Sequence, residues 1–232
     1  MVPIGLLAVA GWLVSSQSKL VHWLGHGLFI CLALAAGFHW LPGFHNLRLF
    51  GPTQLTPNAV SYTVYLNLDK ILLAFWIFWF WPHVQVSPVR RIWIKLGLSV
   101  CGLTAAICAC LAISLGVIEW APKWPSIVGF WAIHNLLCVS FVEAVIFFGY
   151  CQEVLKRCLV SDGPWPAILI AAGLFGLMHF ISWQWVLLTG IAGIGYGMAY
   201  HYGKLQAAVL SQFCLNFLQF SLFTYPMLAA QA

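Results

Sequence analysis

Long apolar runs separated by short polar interruptions divide the chain into eight stretches, at about 2–14, 20–41, 66–82, 93–118, 127–152, 165–182, 184–201 and 204–225. A helix needs about 20 apolar residues to cross ~30 Å of hydrocarbon, and most of these runs come close to that length. The first is short and reads as a partial or re-entrant helix. The sixth and seventh are parted only by Ser182-Trp183-Gln184-Trp185, a tight turn whose tryptophans suit the headgroup boundary. No stretch alternates as the ten-residue strands of a membrane barrel do. The pattern therefore predicts an all-α polytopic transmembrane bundle of about eight helices, forming one integral-membrane domain over residues 1–232. Segment 43–65 holds Gly51-Pro52 and Thr56-Pro57-Asn58 and reads as an ordered loop with turns. Asp69, in the Leu66-Asn67-Leu68-Asp69-Lys70 opening of the third run, is placed to serve a helix N-terminus.

Composition excludes the soluble classes. The chain is 62% apolar and 6% charged, and helices alone satisfy their own backbone groups over such segments in lipid. The net charge of +5 does not point to nucleic acid, because no basic patch with polar or aromatic readers is visible. The basic residues instead orient the bundle. One face receives Lys19, Arg90, Arg91, Lys95, Lys156, Arg157 and Lys204, and the other Arg48, Lys70 and Lys123. By the positive-inside rule the first face is cytoplasmic, which puts both termini outside if the first run spans. No cleavable signal peptide stands out, since the first run lacks a preceding positive charge and a small-residue cleavage site. The eight cysteines form no CxxC pair and read as buried free thiols. Tyr150 to Leu159 reads as an amphipathic continuation of the fifth run onto the cytoplasmic surface. Gly190, Gly193 and Gly197 form a small-residue stripe for close helix packing.

Against this background a few polar residues stand out. Glu143 interrupts the apolar run Val142 to Gly149. A carboxylate at a helix centre costs about 2.5–3.5 kcal/mol even on a lenient insertion scale, so it is kept where something satisfies or uses it. His179 closes Phe175-Gly176-Leu177-Met178-His179, and Gln212 and Asn216 lie in the last run. At ~1.5 Å per residue from the cytoplasmic ends, Glu143 lies about 13 Å deep, His179 about 21 Å, and Gln212 and Asn216 about 12 and 18 Å. Three helices thus direct polar groups toward one buried pocket. The chemistry this suits is hydrolysis by activated water: a carboxylate base, a histidine that holds the water or shuttles a proton, and amides that donate to an oxyanion. Zinc is disfavoured. Glu143 and His179 would be its ligands, but a catalytic zinc site takes three protein ligands and amides are poor ones. His22 and His26 share a helix face without an evident third ligand.

These residues resemble the motifs of the CAAX-protease and bacteriocin-processing (CPBP, or Abi) family of intramembrane endopeptidases. Those motifs are Glu-Glu-x-x-x-Arg, Phe-x-x-x-His and His-x-x-x-Asn on successive core helices. Glu143 matches the first Glu, Phe175 and His179 match the second motif, and Asn216 matches the end of the third, with the likeness extending over about 127–226. The chain departs from the family at Ala144 for the second Glu, Phe148 for the Arg and Gln212 for the third-motif His. The resemblance implies an intramembrane endopeptidase that cleaves a membrane-associated, hydrophobic or lipidated peptide or protein. Glu143 would be the base, His179, Asn216 and Gln212 would assist it, and no cofactor would be needed. The alternative is a catalytically inactive member that binds a membrane peptide or lipid. The expected location is an integral position in a bacterial inner (plasma) membrane, with the site open toward the cytoplasm.

Overall fold

The structure is a computed structural model that describes residues 2–159 and 163–229. Helices make up most of it, as the hydropathy pattern requires. They are α1 (Val2–Val14), α2 (Lys19–Gly37), α3 (Leu68–Phe80), α4 (Arg90–Ser114), α5 (Val128–Cys158), α6 (Trp165–Leu177) and α7 (Trp183–Leu222). Four of them, α2, α4, α5 and α7, are long and apolar enough to cross a membrane. At about 20 Å each, the 13-residue helices α1 and α6 fall short of the hydrocarbon thickness.

The segment between α2 and α3 departs from the all-α expectation. It folds as a hairpin, β1 (Leu47–Thr53) paired with β2 (Tyr62–Leu66). Tyr62-Thr63-Val64-Tyr65-Leu66 is rich in β-branched and aromatic residues, which suits a strand. Pro52 sits in β1 of this two-stranded sheet, where a missing N–H is tolerated.

The chain gathers into two compact units. One comprises the stretch ending at Arg48 together with Tyr65–Pro82; the other comprises Leu49–Val64 and everything from His83 on. In the first unit, the Phe29 and Trp76 rings stack 3.8 Å apart and Trp76 Nε1 donates to Leu7 O at 2.8 Å. Asp69 is buried in the first turn of α3. Its Oδ1 accepts from Lys70 N at 2.9 Å, and its Oδ2 lies 3.7 Å from His39 Nδ1.

The second unit is built on α7, which breaks at Lys204 (φ 67°, ψ −169°). Contacts along α4 show that the chain reverses there. Before the break, Leu188 O takes the Cys108 thiol and a Cβ on Gly195 would meet Thr104, so residue numbers rise against α4. After the break, a Cβ on Gly97 would meet Ala207 and Leu210, and Cys214 lies beside Cys101, so the second half runs with α4. The seventh and eighth apolar runs are these two antiparallel halves. A break frees backbone groups, and the loop before α4 engages that region. Gln85 O accepts from Leu205 N at 3.0 Å, Gln85 N donates to Tyr200 Oη at 2.9 Å, and Ser87 exchanges two hydrogen bonds with Gln206. At the opposite end of α4, Ala112, Val117 and Ile118 form an apolar cluster with Leu188 and Met227.

Candidate active site

Three elements of the second unit position the polar residues. The middle of α5 carries Glu143, between two wider-wound π-helical segments, Asn135–Ser140 and Ala144–Gln152. Such i→i+5 turns are frequent at functional sites because they re-aim side chains. The second half of α7 carries Gln212 and Asn216. His179 is not on a helix. α6 ends at Leu177, Met178 N donates to Leu174 O and His179 N to Gly176 O, and the chain turns into α7 with Ser182 Oγ accepting from Trp185 N. The run through Phe180 and Ile181 is apolar, so hydropathy does not mark this end, and a depth counted along a continuing helix does not apply to His179.

That turn is held by close packing. A Cβ on Gly176 would lie 2.7 Å from Val186 O, and one on Gly193 would lie 3.1 Å from Ala172 Cα. Glycines at these crossings let the backbones of α6 and α7 approach, as the small-residue stripe predicts for Gly193. A Cβ on Gly197, in the same stripe, would meet Gln152 Oε1 at 2.8 Å.

The site centres on Glu143. Its Oε2 accepts from Gln212 Nε2 at 2.6 Å, and its Oε1 lies 3.7 Å from His179 Nε2. His179 Nδ1 donates to Phe175 O at 2.7 Å, which turns Nε2 toward the carboxylate. A separation of 3.7 Å is too long for a direct hydrogen bond. A water about 2.8 Å from both would subtend an angle of about 80°, so it could donate one hydrogen to each. Gln212 is buried, whereas the Glu143 and His179 side chains are 22% and 28% exposed, so the pair is reachable from outside the protein.

Asn216 meets α5 at a different residue. Its Nδ2 donates to Asn135 Oδ1 at 3.3 Å, and Ser140 Oγ donates to the same oxygen at 3.1 Å. Sequence reasoning missed Asn135 and Ser140. An amide in the apolar run Ile133-His134-Asn135-Leu136-Leu137 is the signal that was present. Gln212, expected as an oxyanion donor, instead holds the carboxylate. Among the described residues no group of three His, Cys, Asp or Glu that could hold a metal ion is found.

The departures from the family motifs are filled with apolar packing. Ala144 and Phe148 are fully buried. The Phe148 ring lies 6.0 Å from Phe175 and 6.1 Å from Tyr196, while Phe175 lies 4.5 Å from the His179 ring. An Arg at Phe148 without an acidic neighbour would place an unpaired charge in this aromatic cluster. At the lower end of α5, Gln152 and Glu153 are buried and Gln152 Nε2 donates to Gly197 O at 3.2 Å. The amphipathic surface stretch expected from Tyr150 onward is therefore exposed only at its end, at Lys156, Arg157 and Cys158.

No curated protein and no solved structure matches the chain. A family model does: residues 123–218, about two fifths of the chain, match the Rce1-like family, described as type II CAAX prenyl endopeptidase Rce1-like. The matched stretch contains Glu143, His179, Gln212, Asn216 and Asn135. Over those residues the chain is similar to the Rce1-like type II CAAX prenyl endopeptidases, consistent with the wider CAAX-protease and bacteriocin-processing family.

Proposed function

We propose that this membrane protein is an intramembrane endopeptidase that hydrolyses a membrane-associated, hydrophobic or lipidated peptide by glutamate-activated water. The observation that carries the reading is the 3.7 Å separation of Glu143 Oε1 and His179 Nε2, with Gln212 fixing the other carboxylate oxygen. A water donating to both acceptors turns its lone pairs toward the substrate. Glu143 takes a proton as the water oxygen bonds to the peptide carbonyl carbon. Asn216 donates to the resulting oxyanion. Glu143 then passes the proton to the leaving nitrogen as the C–N bond breaks, giving a carboxylic acid and an amine. The match to a prenyl endopeptidase family supports a lipidated peptide as substrate. The charge asymmetry supports a plasma-membrane orientation with the Arg90, Lys156 and Lys204 side cytoplasmic.

The test uses the purified protein in lipid nanodiscs with an internally quenched, farnesylated peptide ending in a Cys-aliphatic-aliphatic-X box. The wild type is expected to cleave it, and His179→Ala to slow turnover by about 10²–10⁴-fold, the range of a lost acid–base group. Equal turnover by the two would contradict the reading. Binding of the peptide without cleavage by the wild type would favour a catalytically inactive binding protein, for which the Ala144, Phe148 and Gln212 departures speak.

A further inference from the structure

We propose that Asn135 is a positioning residue for Asn216: its side-chain oxygen, steadied by Ser140, takes one N–H of the Asn216 amide and turns the other toward the reacting carbonyl. This rests on the endopeptidase reading. In an unbroken α-helix, eight residues separate Asn135 from Glu143 by about 800°, which would put them about 80° apart around the axis. The π-helical segment Asn135–Ser140 absorbs one residue in a wider turn. The remaining seven cover about 700°, within about 20° of two full turns, so Asn135 shares the Glu143 face. The same wide turn stacks Ser140 on Asn135, and the Ser140 hydroxyl donates to Asn135 Oδ1 at 3.1 Å. Asn216 Nδ2 donates to that oxygen at 3.3 Å, so both its lone pairs are used and the Asn135 amide presents oxygen, not nitrogen, to α7.

Burial gives the arrangement its force. Ser140 is fully buried and Asn135 nearly so, at 0% and 6% exposure. An Asn amide carries two N–H donors and can flip. An acceptor on one donor removes the flip and fixes the plane, leaving the second N–H in a set direction. Preorganised donors of this kind make an oxyanion site effective, because nothing reorients as charge develops.

The experiment is a double-mutant cycle on turnover of the farnesylated quenched peptide in nanodiscs, with melting temperatures recorded for every variant. Asn135→Leu is expected to lower kcat about 10–100-fold at unchanged KM, the scale of a misdirected catalytic group. In an Asn216→Ala background it should have no further effect. Asn135→Asp, which keeps an acceptor for both donors, should restore most of the turnover. Ser140→Ala is the milder second variant should Asn135→Leu fail to fold, and its smaller kcat loss should likewise vanish without Asn216. Equal kcat losses in both backgrounds, a change confined to KM, or no change would overturn the proposal. Glu143→Gln runs alongside. If it turns over like the wild type, the endopeptidase reading falls and this inference with it. If it is inactive while the cycle is additive, the inference alone fails.

Discussion

Gln212→Leu would separate the holding of the base from the holding of the fold. The wild-type amide donates to Glu143 Oε2 at 2.6 Å, while its own Oε1 is buried without a hydrogen-bond partner. Removing a hydrogen bond to a charged acceptor loses about 1.5–3 kcal/mol. Removing the orphaned carbonyl recovers about 1–3 kcal/mol of desolvation. Leucine is close in volume, so no large cavity opens, and the two contributions nearly cancel. Stability should stay within about 1 kcal/mol of the wild type. Activity should not stay level, because Oε1 is aimed at the water by the grip on Oε2. A displacement of the carboxylate by about 1 Å is enough for a loss of about 10²-fold. The assay pairs thermal unfolding in detergent with initial rates on the quenched peptide. A kcat within threefold of the wild type would refute the holding role. So would a rate loss that merely follows the fraction of folded protein.

Three further outcomes follow from the same structure. Gly176→Ala puts a Cβ 2.7 Å from Val186 O, so α6 must shift on α7; we expect about 1–3 kcal/mol of destabilisation and loss of turnover, read by melting temperature and rate. Lys123, in the loop between α4 and α5, donates to Phe223 O, and burial lowers its amine from 10.5 to about 8. Between pH 8 and 10.5 the unfolded chain holds a proton that the folded chain has lost, so this group makes stability rise with pH across that window and adds no slope below it; Lys123→Met should remove this part of the slope in melting curves. A single cysteine placed in the 83–89 loop should be labelled by a membrane-impermeant maleimide only after the cells are opened, and labelling of intact cells would reverse the orientation.

Much of the fold is legible in the sequence because lipid leaves the backbone few choices. Among the described residues each of α1 to α7 begins or ends within a few residues of an apolar run, and the turn at Lys204 lies where two such runs meet. What hydropathy could not mark was structure without a polarity change. The end of α6 at Leu177 is followed by apolar Met178, Phe180 and Ile181, so His179 read as a helix residue. The β1–β2 hairpin is short and contains prolines, which read as turns. Glu143, His179 and Gln212 were visible as costly polar groups in apolar runs, and the structure brings these three together. Asn135 was not, because a strict 3.6-residue period puts it on another face from Glu143. The wide turn that brings it round is a tertiary outcome with no local sequence signature. Gln152, inside the stretch read as lying on the surface, is buried because its partner lies on α7 and not in its own run.

The central claim, that Glu143 activates water for peptide hydrolysis, is tested most directly by processing of a candidate substrate in cells expressing wild type or Glu143→Gln. Glutamine keeps the shape and can still meet its neighbours, but it cannot take a proton from water. The account predicts that Glu143→Gln accumulates in the membrane at wild-type level with unaltered melting and leaves the substrate uncut. Equal processing by the two proteins would contradict the account. A Glu143→Gln protein more stable than the wild type would then identify the carboxylate as a tolerated buried charge.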